Sequence, residues 1–173
     1  MKKGFTIVEL LAVVLIIGVL TAIAMPQYKK VGAQGRLASL KPMLDSLKSA
    51  EETYHYATGK YAYDIDLLDV KQGCTPFTFE GAADNSVIKC GQGFLVDIIA
   101  GNPSSGSGET ANNITAFYCP NEIRKGDEIN CVNKADFKYI VWLNHSDYPG
   151  KTECKPLNGS EFGSAVCEVE TGE

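Results

Sequence analysis

One acid stands inside an apolar run. Residues 5–25 form an almost unbroken lipid-soluble stretch of 21 residues, and Glu9 is its single carboxylate. Placing an acid in hydrocarbon costs roughly 2.5–3.5 kcal/mol on insertion scales, so such a residue usually has a partner and a task. The chemistry on offer is charge pairing. Six cysteines, Cys74, Cys90, Cys119, Cys131, Cys154 and Cys167, offer cross-linking instead, and all lie in the final hundred residues. No two of them form C-x-x-C, and their spacing does not suggest zinc. His55 and His145 stand apart from any nucleophile motif, and a lone histidine is usually structural or solvated. The acid groups Asp64-Asp66-Asp69 and Asp127-Glu128 have ligand chemistry for calcium, although solvated loops use such residues more often. Neither G-x-S-x-G nor a P-loop occurs. Asn113-Ile114-Thr115, Asn144-His145-Ser146 and Asn158-Gly159-Ser160 fit the N-glycosylation triplet, a weak pattern.

The element that carries Glu9 is the apolar run itself. As a helix it reaches about 32 Å, enough to cross a bilayer core of about 30 Å. A cleaved secretory signal fits less well, because the run exceeds the usual apolar region of about 7–15 residues. It also runs on into Met25-Pro26-Gln27-Tyr28. Apolar length alone favours an uncleaved single-pass anchor. Neither reading explains Glu9 or the Lys3-Gly4-Phe5-Thr6 run before the apolar segment.

Charge is unevenly placed along the 173 residues, whose formal net charge is −5. Residues 29–48 carry five basic residues, Lys29, Lys30, Arg36, Lys41 and Lys48, against one acid, Asp45. Residues 51–173 carry nine basic and nineteen acidic residues, a net of −10. A basic stem and an acidic head could attract one another between subunits, though most such charges are simply solvated. No basic patch with interleaved aromatics stands out, so specific nucleic-acid binding is not expected. Lysines flank both ends of the apolar run, so charge alone does not orient it. The even cysteine count does: a disulfide framework forms outside the cytoplasm, which places the C-terminal part outside and the N-terminus inside.

Beyond Pro26 the pattern turns amphipathic. Leu37, Leu40, Met43/Leu44, Leu47, Ala50 and Tyr54 recur at three- and four-residue steps, a stripe of helical period. Pro42 lies inside it and predicts a bend or local loosening. Gly59 is the expected helix stop. With the anchor this makes one helix over residues 5–58, roughly 80 Å long. Tyr61, Ile65, Leu67 and Leu68 are buried candidates in the stretch that follows. Short β-like runs come next, at 77–80, 94–100, 115–118 and 137–143, with 165–169 as a further candidate. Residues 101–113 are the most loop-like, rich in Gly, Ser and Asn. The economical fold is α+β, an antiparallel sheet laid over the second half of the long helix. Spacing only ranks the fifteen ways of pairing six cysteines. Sequential pairing, Cys74–Cys90, Cys119–Cys131 and Cys154–Cys167, closes short loops between neighbouring elements.

Lys3-Gly-Phe-Thr-Ile-Val-Glu-Leu10 resembles the processing motif of type IV pilins and type II secretion pseudopilins, and the resemblance covers roughly the first 60 residues. It implies a prepilin peptidase that cuts between Gly4 and Phe5 and N-methylates Phe5. It makes Glu9 the family's assembly glutamate, and places Gly18 and Pro26 where the family has a helix-loosening glycine and proline. Glu9 lies four residues after Phe5, about one turn, on the face of the freed amine. It could partly neutralise its own Phe5 or meet the Phe5 amine of a neighbour. The last cysteine pair resembles the C-terminal disulfide loop of many type IV pilins, while six cysteines exceed the family's usual single pair.

The layout implied is a leader at 1–4, a transmembrane and filament-core helix at 5–28, an amphipathic stem at 29–58, and a disulfide-rich β head at 59–173. The function implied is that of a structural subunit, not an enzyme, major or minor in a type IV pilus, with no cofactor and no metal. Implied partners are other copies or other pilins, the prepilin peptidase, the inner-membrane assembly platform with its ATPase, and the membrane before assembly. The implied location is the bacterial inner membrane, then an extracellular pilus or periplasmic pseudopilus. A type II secretion pseudopilin is the alternative, and a single-pass anchored ectodomain with a binding or enzymatic role is more distant.

Overall fold

The computed structural model describes residues 6–70, 73–77, 87–99 and 112–171, the side chains of Pro26 and Gln92 apart. Its first element, α1 (Ile7–Thr58), is a single helix of 52 residues, about 78 Å long. Thr6 caps its start, and Gly59 ends it at φ 74° with its amide donating to His55 O over 2.8 Å. That left-handed position suits glycine, which has no Cβ to clash. The helix runs unbroken through Pro26 and Pro42, so the loosening expected at Pro42 does not interrupt it.

The second half of α1 is covered and the first is not. Ala33, Leu37, Leu40, Leu44 and Leu47 are buried in the main core, at steps of four, three, four and three residues that keep one face inward. A short 3-10 turn at Ile65–Leu67 then buries Ile65. Six antiparallel strands follow in sequential order: β1 (Cys74–Pro76), β2 (Val87–Cys90), β3 (Phe94–Ile99), β4 (Asn113–Tyr118), β5 (Phe137–Trp142) and β6 (Thr152–Pro156). Two short helices, α2 (Pro120–Lys125) and α3 (Cys131–Lys134), lie between β4 and β5, and α4 (Glu161–Thr171) closes the described chain.

Strand alternation explains the two faces. Phe94, Val96 and Ile98 of β3, Ile114, Ala116 and Tyr118 of β4, and Phe137, Tyr139 and Val141 of β5 join the core with α1. The opposite face gives a smaller cluster of Val87, Leu95 and Phe117 with Cys119, Cys131 and Ala135. Register runs Val96 to Ala116 to Tyr139 across the three central strands.

Some strand expectations are corrected. Residues 165–169 belong to helix α4, whose start is set by Ser160: its hydroxyl accepts the Gly163 amide at 3.0 Å. Gly163, Val166 and Cys167 then face inward at helical spacing. Of the strand expected at 77–80, Phe77 follows directly on β1 (Cys74–Pro76), its amide donating to Val87 O at 2.8 Å. Positions 78–80 fall outside the described residues, as do residue 100 and positions 101–111 of the loop-like stretch. Strands β2 and β6 were not expected. β2 is short, with only Val87 and Ile88 of strand-favouring type, β6 is mostly polar, and both are held by pairing with longer neighbours, β3 and β5.

Candidate functional site: the uncovered helix and its capping carboxylate

The start of α1 closes on itself. Glu9 Oε2 accepts from the Thr6 amide and from the Thr6 hydroxyl, each at 2.8 Å, while Thr6 Oγ1 accepts the Glu9 amide at 3.3 Å. This reciprocal box satisfies donors that a helix start leaves without partners, and places the acid at the positive end of the helix dipole. Both bonds fall on Oε2; among the described residues, Oε1 accepts none. Gly4 and Phe5, the expected cleavage and methylation positions, lie outside the described residues.

Beyond the box the helix presents apolar side chains in every direction. Each large apolar residue over 7–25 is at least 47% exposed, as at Val13. The segment is long and apolar enough to cross a bilayer. Gly18 stands on this uncovered stretch, where an added Cβ meets nothing within 4 Å. Pro26 follows within the helix, one turn before the stem's basic residues. An apolar surface of this extent must be covered by lipid or by other protein. Its contrast with the covered stem is the main asymmetry of the molecule.

The disulfides join Cys74 to Cys90, Cys119 to Cys131, and Cys154 to Cys167. The first fastens β1 to β2 beside Met43 of the stem, whose Sδ lies 3.0 Å from Cys74 Sγ. The second staples the α2–α3 excursion to the end of β4. The third ties β6 to α4, which also meets the stem through a Lys41–Glu170 ion pair.

The weaker candidates have structural employment. Asp64 caps the turn at Ile65–Leu67, its Oδ1 accepting the Asp66 amide at 2.8 Å. Asp127 accepts from Asn130 at 2.7 Å, and Glu128 is buried against Lys89. Among the described residues no group of three metal-ligating side chains converges. Asn113 and Thr115 are buried in β4, with Thr115 Oγ1 donating to Asn113 Oδ1 at 2.8 Å, so that triplet is closed to a glycan in the folded head.

Two residues escaped the sequence reading. Glu51 is fully buried and Glu52 is 8% exposed. The available signal was the stem's own spacing, because the buried steps Leu40, Leu44 and Leu47 lead next to Glu51 and not to Ala50. An acid is normally assigned to the solvent face, which hid it.

Residues 1–25 match the model of the prokaryotic N-terminal methylation motif. Three curated proteins illustrate the similarity. A type IV major pilin protein of Neisseria gonorrhoeae is 23% identical over 81% of this chain and 88% of its own length. A fimbrial protein of Eikenella corrodens is 27% identical over 80% of this chain and 88% of its own. A type IV major fimbrial protein of Dichelobacter nodosus is 42% identical over 42% of this chain and 39% of its own. No solved structure matches the chain. A methylation motif ahead of an uncovered apolar helix, a sheet packed on its second half, and relatives named as pilins and fimbrial proteins together make this chain one that resembles the type IV pilins.

Proposed function

We propose that the chain is a structural subunit of a type IV pilus whose activity is polymerisation. The observation that carries this reading is the division of α1 into a bare apolar half with one capped acid and a stem half covered by the head. The segments act as a leader at 1–4, a core helix at 5–28, a stem at 29–58 and a head at 59–173. The precursor sits in the inner membrane with its head outside. The prepilin peptidase removes residues 1–4, and Phe5 is methylated.

Transfer from lipid into a filament exchanges one apolar surrounding for another, so the helices regain among themselves most of what they lose on leaving the bilayer. An assembly platform and its ATPase drive that extraction. Glu9 supplies register. Its Oε2 stays in the Thr6 box while Oε1 meets the Phe5 amine of a neighbouring copy, a pair that forms only when helices dock at the right height. Gly18 and Pro26 bracket a stretch of weak helix propensity that yields as the helices pack.

The test is Glu9→Val expressed as the sole pilin in a cell. It should insert in the membrane normally yet give no filaments on shearing, while wild type gives them. Wild-type filament yield from the variant overturns the role of Glu9. Deletion separates the alternatives: loss of surface fibres fits the pilus, and loss of exoprotein secretion alone fits a pseudopilin.

A further inference from the structure

The buried stripe of the stem ends on a carboxylate, and three parts of the fold converge there. Glu51 Oε2 accepts the Ala62 amide at 2.9 Å. Glu52 Oε1 accepts the Tyr61 hydroxyl at 3.0 Å and the Asn144 amide at 2.7 Å. The Tyr61 oxygen accepts the His145 amide at 3.1 Å and lies 3.2 Å from His145 Nδ1. The His145 ring stacks on His55 of the stem with centroids 4.2 Å apart. The end of α1, the loop at 61–70 and the turn after β5 are thus held together by two adjacent acids. Glu51 Oε1 and Glu52 Oε2 are buried and, among the described residues, accept no hydrogen bond.

We propose that Glu51, Glu52, Tyr61 and His145 form a proton-binding clasp, in which protonation of Glu51 closes the 61–70 loop and the 144–150 turn more firmly onto the stem.

Two neighbouring buried carboxylates cannot both stay ionised without cost, and the one with fewer donors yields first. Among the described residues Glu51 accepts from one donor, the Ala62 amide, so burial weighs heavily on its charged form. Burial pushes its carboxyl up to about 7; the Ala62 amide opposes that shift and the Glu52 charge adds to it. The ordinary value is 4.5, so the closed clasp binds the proton more tightly than the open one. Closure is therefore firmest below pH 4.5, weakens as pH rises through the interval to about 7, and is weakest above it.

Among the described residues, the other charged or titratable groups that these contacts bring to the clasp are Glu52 and His55 on α1, Tyr61 on the loop and His145 on the turn. Lys48 Nζ lies alongside Gly150 at the end of that turn. A carboxyl variant isolates Glu51 from these neighbours.

Hydrogen exchange of the full chain in detergent micelles, corrected for intrinsic rate, tests this. Opening at the Ala62 amide should rise on the order of 50-fold from pH 5 to pH 8, with the β3–β4 amides unchanged. Glu51→Gln, close in shape to the protonated acid, should remove most of that dependence. Opening that is flat with pH, or a Glu51→Gln variant that keeps the wild-type dependence, overturns the proposal. Should the variant fail to fold, the side-chain carboxyl of wild-type Glu51 is titrated by carbon NMR. A midpoint near 7 supports the clasp, and one near 4.5 overturns it.

Discussion

Glu9 Oε2 lies 2.8 Å from both the amide nitrogen and the hydroxyl oxygen of Thr6, so the acid of the apolar segment is engaged by its own first turn. A subunit in lipid therefore need not carry a wholly uncompensated charge. Thr6→Ala removes the cap at a cost of about 1 kcal/mol. Exchange of the Glu9 and Leu10 amides in micelles should quicken roughly five-fold, with the head's thermal midpoint unchanged. Equal exchange in the two proteins would show that the box does not hold the helix start.

Among the described glycines, Gly163 has the nearest backbone neighbour. A Cβ there would stand 2.0 Å from Asp136 O and 3.4 Å from Phe137 Cβ. Backbone cannot step aside as a flexible side chain does, so Gly163→Ala should cost about 1–3 kcal/mol. Calorimetry should find the midpoint lowered by several degrees, in contrast to alanine at Gly91, where an added Cβ meets nothing.

The Cys154–Cys167 bridge is the covalent tie between β6 and α4. Replacing both cysteines by serine should cost about 2–4 kcal/mol. Because α4 also pairs with the stem through Glu170 and Lys41, the loss should appear first as faster exchange in α4. Intact exchange protection there would place the stabilisation elsewhere.

Acid should loosen the outer face of the sheet. Lys89, bonded to Glu128, holds that carboxyl below its ordinary 4.5, against the opposing effect of burial. A depressed acid contributes stability that is present above pH 4.5 and lost as pH falls through its lowered value. Glu128→Gln should therefore lower the thermal midpoint at pH 7 by a few degrees, a contribution of about 1 kcal/mol because Lys89 is partly solvated. At pH 2.5 the two proteins should melt closer together. A difference that widens in acid would contradict this assignment.

The first 60 residues were the most legible part of the sequence, because a helix states its face by local period alone. The 52-residue α1 ends at Thr58 with Gly59 in the left-handed conformation its position suggested. The central strands were readable by composition, since Phe94–Ile99 is apolar at every position but Asp97. Strands β2 and β6 were not, because Thr152–Pro156 is mostly polar and becomes a strand only by pairing with β5. Residues 165–169 have a strand-like composition, and the signal for helix, Ser160, stands five residues upstream. Glu51 was hidden by its type: only the loop and turn that fold over it explain why an acid completes an apolar stripe.

The central claim is that residues 1–4 are a leader and that the apolar helix begins its working life at Phe5. Intact mass with N-terminal sequencing of the protein recovered from membranes tests it most directly. The account predicts N-methylphenylalanine, Phe5, as the first residue. An unprocessed Met1 on the mature protein would contradict it.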